Sequence, residues 1–175
     1  PALRHRIEHV QVLHPQDVSR LAQLDVIASM QPIHATSDMF TADRYWGERS
    51  ALAYAFRTLL DQGTRLAFGS DAPVEPPNPF LGMHAAVHRR LPSGEPGEDG
   101  WRPEQRIRLA EALAAYTTGA AYAGGLEDRL GRLVPGYKAD LIVLPEDPFQ
   151  LPPDRLYDLR PEATMVAGEW VWRSR

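Results

Sequence analysis

The amino-acid sequence predicts an α/β protein in which strand and helix alternate on a parallel sheet, followed by a small antiparallel β unit. Three observations carry that expectation. Short apolar runs with little in–out alternation occur at 25–30 and 65–70, the character of strands covered on both faces, and 6–10 is a short segment of extended character. Segments with apolar residues at helical spacing lie between them, and right-handed helical crossovers between parallel strands give this pattern. Past about residue 125 the chain changes to short strand-like runs separated by Gly and Pro turns.

The first strand, 6–10, ends in His9-Val10. Pro15 suits the first turn of a helix over 15–24, with Val18, Leu21 and Leu24 in step. The run Asp25-Val26-Ile27-Ala28-Ser29-Met30 is the second strand, stopped by Gln31-Pro32. A polar loop holding His34, Asp38 and Asp43 follows. A helix over 48–62 then places Leu52, Ala55, Phe56, Leu59 and Leu60 on one face, with Gly63 closing it. The third strand is 65–70, and the proline-rich stretch 73–79 is a loop. A helix over 80–91 follows, its Arg89-Arg90 pair reading as a solvated face, then a polar Gly/Pro-rich excursion at 92–103 and a helix over 104–116 running on toward Ala123. Strands at 139–144, 163–166 and 169–172, with a turn at Gly168, make the antiparallel unit. An open doubly wound sheet and a (β/α)8 barrel both satisfy the first part; three strands are visible where a barrel needs eight.

Composition narrows the function. The chain has 175 residues, 43% of them hydrophobic, enough for a real core. A net charge of −4 with dispersed Lys and Arg leaves no electrostatic footprint for nucleic acid. No apolar run approaches the roughly 18–20 residues needed to span a bilayer. Cysteine is absent, which excludes disulfides, Cys-ligated zinc and a Cys nucleophile, and fits a cytoplasmic location. The chain opens on Pro1 and runs almost at once into a strand, so we expect a piece of a longer protein.

Three residues stand where α/β folds carry chemistry, at the C-terminal ends of parallel strands. Asp71 follows Leu66-Ala67-Phe68 and the small pair Gly69-Ser70; it either caps the following turn or serves as an acid–base group. His9 ends the first strand, where a neutral imidazole could bind a divalent metal or simply be satisfied in the core. His34 follows Gln31-Pro32 and could ligate metal, donate to a substrate carbonyl or lie exposed on a loop. His84 and His88 have the i, i+4 spacing that can chelate zinc, but the His-Glu-x-x-His pattern is absent, so they read as surface or packing residues. Ser70 lacks the Gly-x-Ser-x-Gly elbow, and no nucleotide-binding glycine motif is present. Tyr45, Trp46, Phe80 and Trp101 either line a substrate pocket or pack in the core.

Taken together, several segments resemble the amidohydrolase superfamily in its amidohydrolase family 3 branch. They are Arg4-His5-Arg6-Ile7-Glu8-His9, Ser29-Met30-Gln31-Pro32-Ile33-His34, Gly69-Ser70-Asp71-Ala72-Pro73-Val74, Tyr116-Thr117-Thr118-Gly119-Ala120-Ala121, and Gly131-Arg132-Leu133 through Pro135-Gly136-Tyr137-Lys138-Ala139-Asp140-Leu141. The resemblance implies the C-terminal part of a metal-dependent (β/α)8 (TIM) barrel over 1–125, holding strands six to eight. The C-terminal strands of a small β-sandwich would occupy 126–175. It implies a hydrolase of non-peptide carbon–nitrogen bonds in a small amide-type substrate, with one or two divalent metal ions, zinc foremost. On that mapping His9 and Asp71 hold or neighbour the metal, Asp71 shuttles protons, and His34 faces the substrate. The family's earlier strands carry further metal ligands that are absent here. The alternative is therefore a catalytically incompetent fragment or an assembly piece that needs a missing N-terminal portion or forms a homo-oligomer.

Overall fold

The computed structural model describes residues 3–174. Strands β1 (Arg6–Glu8), β2 (Ile27–Met30) and β3 (Leu66–Phe68) form a parallel sheet in that order. Register aligns Ile7 with Ala28 and Met30 with Phe68. β2 and β3 are buried as their apolar sequence predicts, whereas β1 is exposed along its length. β1 is charged at both of its ends and, among the described residues, lies at the edge of the sheet and pairs with β2 alone.

The helices between the strands depart from the expected ones in instructive ways. The segment 15–24 gives a 3-10 turn, Pro15–Asp17, and one α-helical turn, α1 (Arg20–Gln23); of its supposed apolar face only Leu21 is buried. The expected polar loop after β2 is instead two helices, α2 (Pro32–Ser37) and α3 (Met39–Trp46). Pro32 is pre-organised for a first helical position, and Ala35, Met39 and Ala42, spaced four and three apart, are fully buried. The expected helix 48–62 breaks into a 3-10 segment, Gly47–Leu52, and α4 (Phe56–Asp61). The break comes from pairing with the chain after β1: Tyr54 N–H donates to the Gln11 carbonyl (2.9 Å) and Leu13 N–H to the Leu52 carbonyl (3.2 Å).

Helix α5 (Pro79–His88) starts on Asn78, whose side chain accepts from Phe80 N–H (3.0 Å), and ends at Arg89 in the left-handed region. Arg89 is not part of a solvated face. It is fully buried, donates to the carbonyls of Trp101 (3.0 Å) and Tyr54 (3.1 Å), and lies over the rings of Trp101 and Phe56. Burial pulls its guanidinium down to about 9, so it stays charged at neutral pH. Its two carbonyl contacts tie the 92–103 excursion to α4's approach. Arg90 pairs with Asp154. The expected helix 104–116 is shortened to α6 (Leu109–Ala114), started by Glu111 accepting from Arg108 N–H (2.7 Å). A π turn, Ala115–Gly119, and α7 (Ala120–Ala123) continue it. Gly119 is required there, since a Cβ would sit 2.2 Å from the Leu66 carbonyl oxygen of β3.

Strands β4 (Leu141–Val143), β5 (Ala163–Val166) and β6 (Glu169–Arg173) form the antiparallel sheet. Ala167 and Gly168, both with positive φ, make its hairpin turn, and Asp140 accepts from Ala167 N–H (2.6 Å). β6 is exposed throughout. Among the described residues no helix is long and apolar enough to cross a membrane.

Two outcomes test this packing. Arg89→Ala strands two buried carbonyls and is expected to cost roughly 2–4 kcal/mol in urea unfolding; an unchanged midpoint would show the clamp to be incidental. His84, on α5, is 2% exposed, and burial foremost, with the neighbouring His88 and Arg90 adding, pulls it down to about 4. Above its ordinary value of 6.5 it is neutral folded and unfolded and adds no pH dependence. As pH falls below that, the unfolded chain takes the proton first, so stability should drop progressively toward pH 4, by up to about 3 kcal/mol. A urea midpoint that stays flat across this window while the protein remains folded would contradict it.

Candidate functional site

Three strand ends share one rim. His9 follows β1, Gln31 follows β2, and Gly69-Ser70-Asp71 follow β3. The last carbonyls of β2 hold both neighbours: Ser29 accepts from His9 N–H (2.7 Å) and Met30 from Gly69 N–H (3.1 Å). His9 (φ 68°) and Asp71 (φ 57°) both leave their strands in the left-handed region, uncommon for residues with a Cβ and frequent where a fold fixes functional groups. Glu8, hydrogen-bonded by Ser29 and paired with Arg6, is held below the usual carboxylate range and stays ionised beside His9.

His34 lies in the first turn of α2, not on an exposed loop, and is buried. Its ring stacks on His9 with centroids 6.0 Å apart and planes 21° from parallel. Gln31 Oε1 lies 2.8 Å from His9 Nδ1, so Nδ1 donates and the lone pair is left on Nε2. His34 Nε2 is buried with no hydrogen-bond partner. Asp71 is exposed, in a turn closed by Val74 N–H donating to its carbonyl (2.8 Å). The structure thus brings His9 and His34 together and sets Asp71 on the same rim. Among the described residues no group of three or more His, Asp or Glu could hold a metal ion.

Behind this rim stands a network that sequence reasoning missed. Tyr54 is 1% exposed and its hydroxyl donates to Asp38. Gln11 donates to Tyr54 Oη (2.9 Å) and Asp38 (3.3 Å). Burial, then the Asp38 acceptor, raises the Tyr54 pKa, so the hydroxyl remains a donor. Asp38 N–H in turn donates to the His34 carbonyl (2.9 Å). The network therefore couples the segment after His9 to the helix that carries His34. Gln31, a polar residue at a strand end directly before a proline, was the one visible signal. On the other side Tyr116 Oη reaches the Gly69 carbonyl (3.5 Å), and Gly82 leaves room for that hydroxyl, 1.9 Å from where its Cβ would stand. Phe80 and Trp101 are core residues and Tyr45 is exposed; Trp101 Nε1 donates to Asp43 (3.0 Å). His84 is buried rather than on the surface.

The sequence model of the amidohydrolase family matches residues 2–172. The chain belongs to the amidohydrolase family. Among family relatives, YtcJ of Bacillus subtilis is 35% identical over 171 residues, 97% of this chain and 32% of that protein. The N-substituted formamide deformylase of Arthrobacter pascens is 29% identical over 165 residues, 93% of this chain and 30% of that enzyme. An uncharacterized metal-dependent hydrolase from Pyrococcus horikoshii superposes with a TM-score of 0.74 at 33% identity, over 85% of this chain and 30% of that one. This amidohydrolase-family chain spans about a third of the length of these relatives.

Tyr54→Phe removes the centre of the network and is expected to cost about 1–3 kcal/mol and to shift the His34 ring resonances in NMR. Unchanged stability with unchanged His34 signals would separate the network from the rim.

Proposed function

We propose that residues 1–125 are the sixth to eighth strands, with their helices, of a (β/α)8 barrel, and that 126–175 are the C-terminal share of a small β-sandwich. The activity we assign is hydrolysis of a non-peptide carbon–nitrogen bond in a small amide, with an N-substituted formamide as the first substrate to try. The observation that carries the reading is the His9–His34 pair on the rim that also bears Asp71, with Gln31 fixing the His9 tautomer. Family membership and the deformylase relative support the reaction class.

The donors fit a divalent ion in part. A buried imidazole nitrogen without a partner and a second imidazole with its lone pair set by Gln31 are the chemistry of a metal rim. Three protein ligands are typical of catalytic zinc, and His9 with Asp71 makes two. When bound, such an ion acidifies water and polarises a carbonyl. His9 would hold it through Nε2. Asp71 would take a proton from the attacking water on a carboxylate oxygen and return it to the leaving nitrogen, base and then acid. His34 would orient the substrate through Nε2.

A second reading follows from the absence of a three-ligand group among the described residues. In it the chain is an incompetent fragment or assembly piece. Zinc analysis and turnover of an N-substituted formamide separate the two. Activity that Asp71→Asn lowers by about 10²–10⁴-fold supports the first. Wild-type protein with neither metal nor turnover supports the second. Full turnover in Asp71→Asn would remove Asp71 from the mechanism.

A further inference from the structure

Helix α5 carries two imidazoles one turn apart, His84 and His88, that the rim does not use. Their ring centroids are 4.8 Å apart and their planes lie at 47°, so they are not a parallel stack. His84 is 2% exposed, and both of its ring nitrogens are buried without a hydrogen-bond partner. A neutral imidazole has one N–H to donate and one lone pair to fill. Leaving both unpaired in the interior is a rare condition that a bound ion or water relieves.

The ring separation suits an ion. Imidazole nitrogen binds zinc at about 2.0–2.1 Å, which sets the metal roughly 3.2 Å from the ring centroid. Two rings meeting one ion at about 90–110° then have centroids roughly 4.5–5.2 Å apart. The observed 4.8 Å falls inside that range. Burial holds both rings below the ordinary histidine value, so both are in the neutral, ligating form at pH 7. Around them, Tyr157 from the 3-10 segment Pro153–Asp158 packs edge-on against His84 at 5.1 Å. Arg90 is paired with Asp154, which offsets its repulsion of a cation, and Arg106 is engaged by the carbonyls of Glu98 and Asp99.

We propose that His84 and His88 form a bidentate site for one divalent transition-metal ion, at the seam between α5 and the segment Pro153–Asp158. It is distinct from the rim. His88 is partly exposed, and water completes the coordination from that side. Imidazole ligands favour zinc over magnesium.

The test uses the chain with His9→Gln and Asp71→Asn, which silences the rim, after removal of metal with EDTA. Calorimetry should show one equivalent of Zn2+ bound with a rise in Tm, and Mg2+ should do neither. Adding His88→Gln should weaken Zn2+ binding by about tenfold or more while the metal-free Tm stays close to its parent's. In the wild-type chain, with no substitution at all, 15N NMR should show Zn2+ moving one of the two His84 ring-nitrogen resonances. Equal Zn2+ affinity with and without His88, an equal response to Mg2+, or His84 nitrogens unmoved at saturating Zn2+ would each overturn the proposal.

Discussion

The last two carbonyls of β2 are the constraint on which the rim depends. Ser29 and Met30 each accept an amide from a neighbouring strand at the point where that strand stops. Because pairing is parallel on both sides, the three strands end on the same side of the sheet. His9, which donates the first of those bonds, and Asp71, two residues past the second, both have left-handed backbone. A one-residue slip of β2 against either neighbour would reverse which side chains face the core and undo the rim. Burial of Ile27, Ala28 and Met30, each at most 1% exposed, is what opposes such a slip.

A second layer of polar contacts turns this sheet end into a fixed surface. Asp38, Tyr54 and Gln11 join segments that are far apart in sequence, and each is satisfied by the others. Such a part-buried network stabilises one arrangement, since breaking it leaves the buried Tyr54 hydroxyl unpaired. Arg89 does the same for the excursion 92–103, binding backbone carbonyls rather than a carboxylate. The break in the expected helix 48–62 has the same origin. Tyr54 gives up helical geometry and gains a backbone bond to Gln11 and a hydroxyl bond to Asp38.

Much of this was legible in the amino-acid sequence, for physical reasons that differ by element. β2 and β3 show as apolar runs, and the polar residues that follow them, Gln31 and Gly69-Ser70-Asp71, are on the rim; His9 could be placed only as the end of a short extended segment. α2 and α3 were hidden because their buried face is made by small or unbranched residues, Ala35, Met39 and Ala42, inside a polar composition. Arg89 could not be read at all. A basic pair on a helix normally marks solvent, and its acceptors come from residues 12 and 35 positions away. The Tyr54 network was illegible for the same reason, as long-range partners leave no local period.

The two sheets are stabilised in opposite ways, and that contrast bears on function. The parallel sheet is anchored by the buried side chains of β2 and β3 and by long-range hydrogen bonds, and its strand ends carry the candidate groups. The antiparallel sheet leaves Trp170, Val171 and Trp172 exposed and meets α5 and α6 across an apolar cleft of about 620 Å3, lined by Phe80, Met83, Leu141 and Met165. Fixing acid–base and ligand groups needs sub-ångström placement, whereas an outlying sheet needs only to stay attached. The chain concentrates its buried polar contacts where placement matters and leaves apolar surface where it does not. α5 is the element common to both parts, packed on α2 and on the segment that leads into β5. A change at its buried His84 therefore reaches both the helix that carries His34 and the approach to the second sheet.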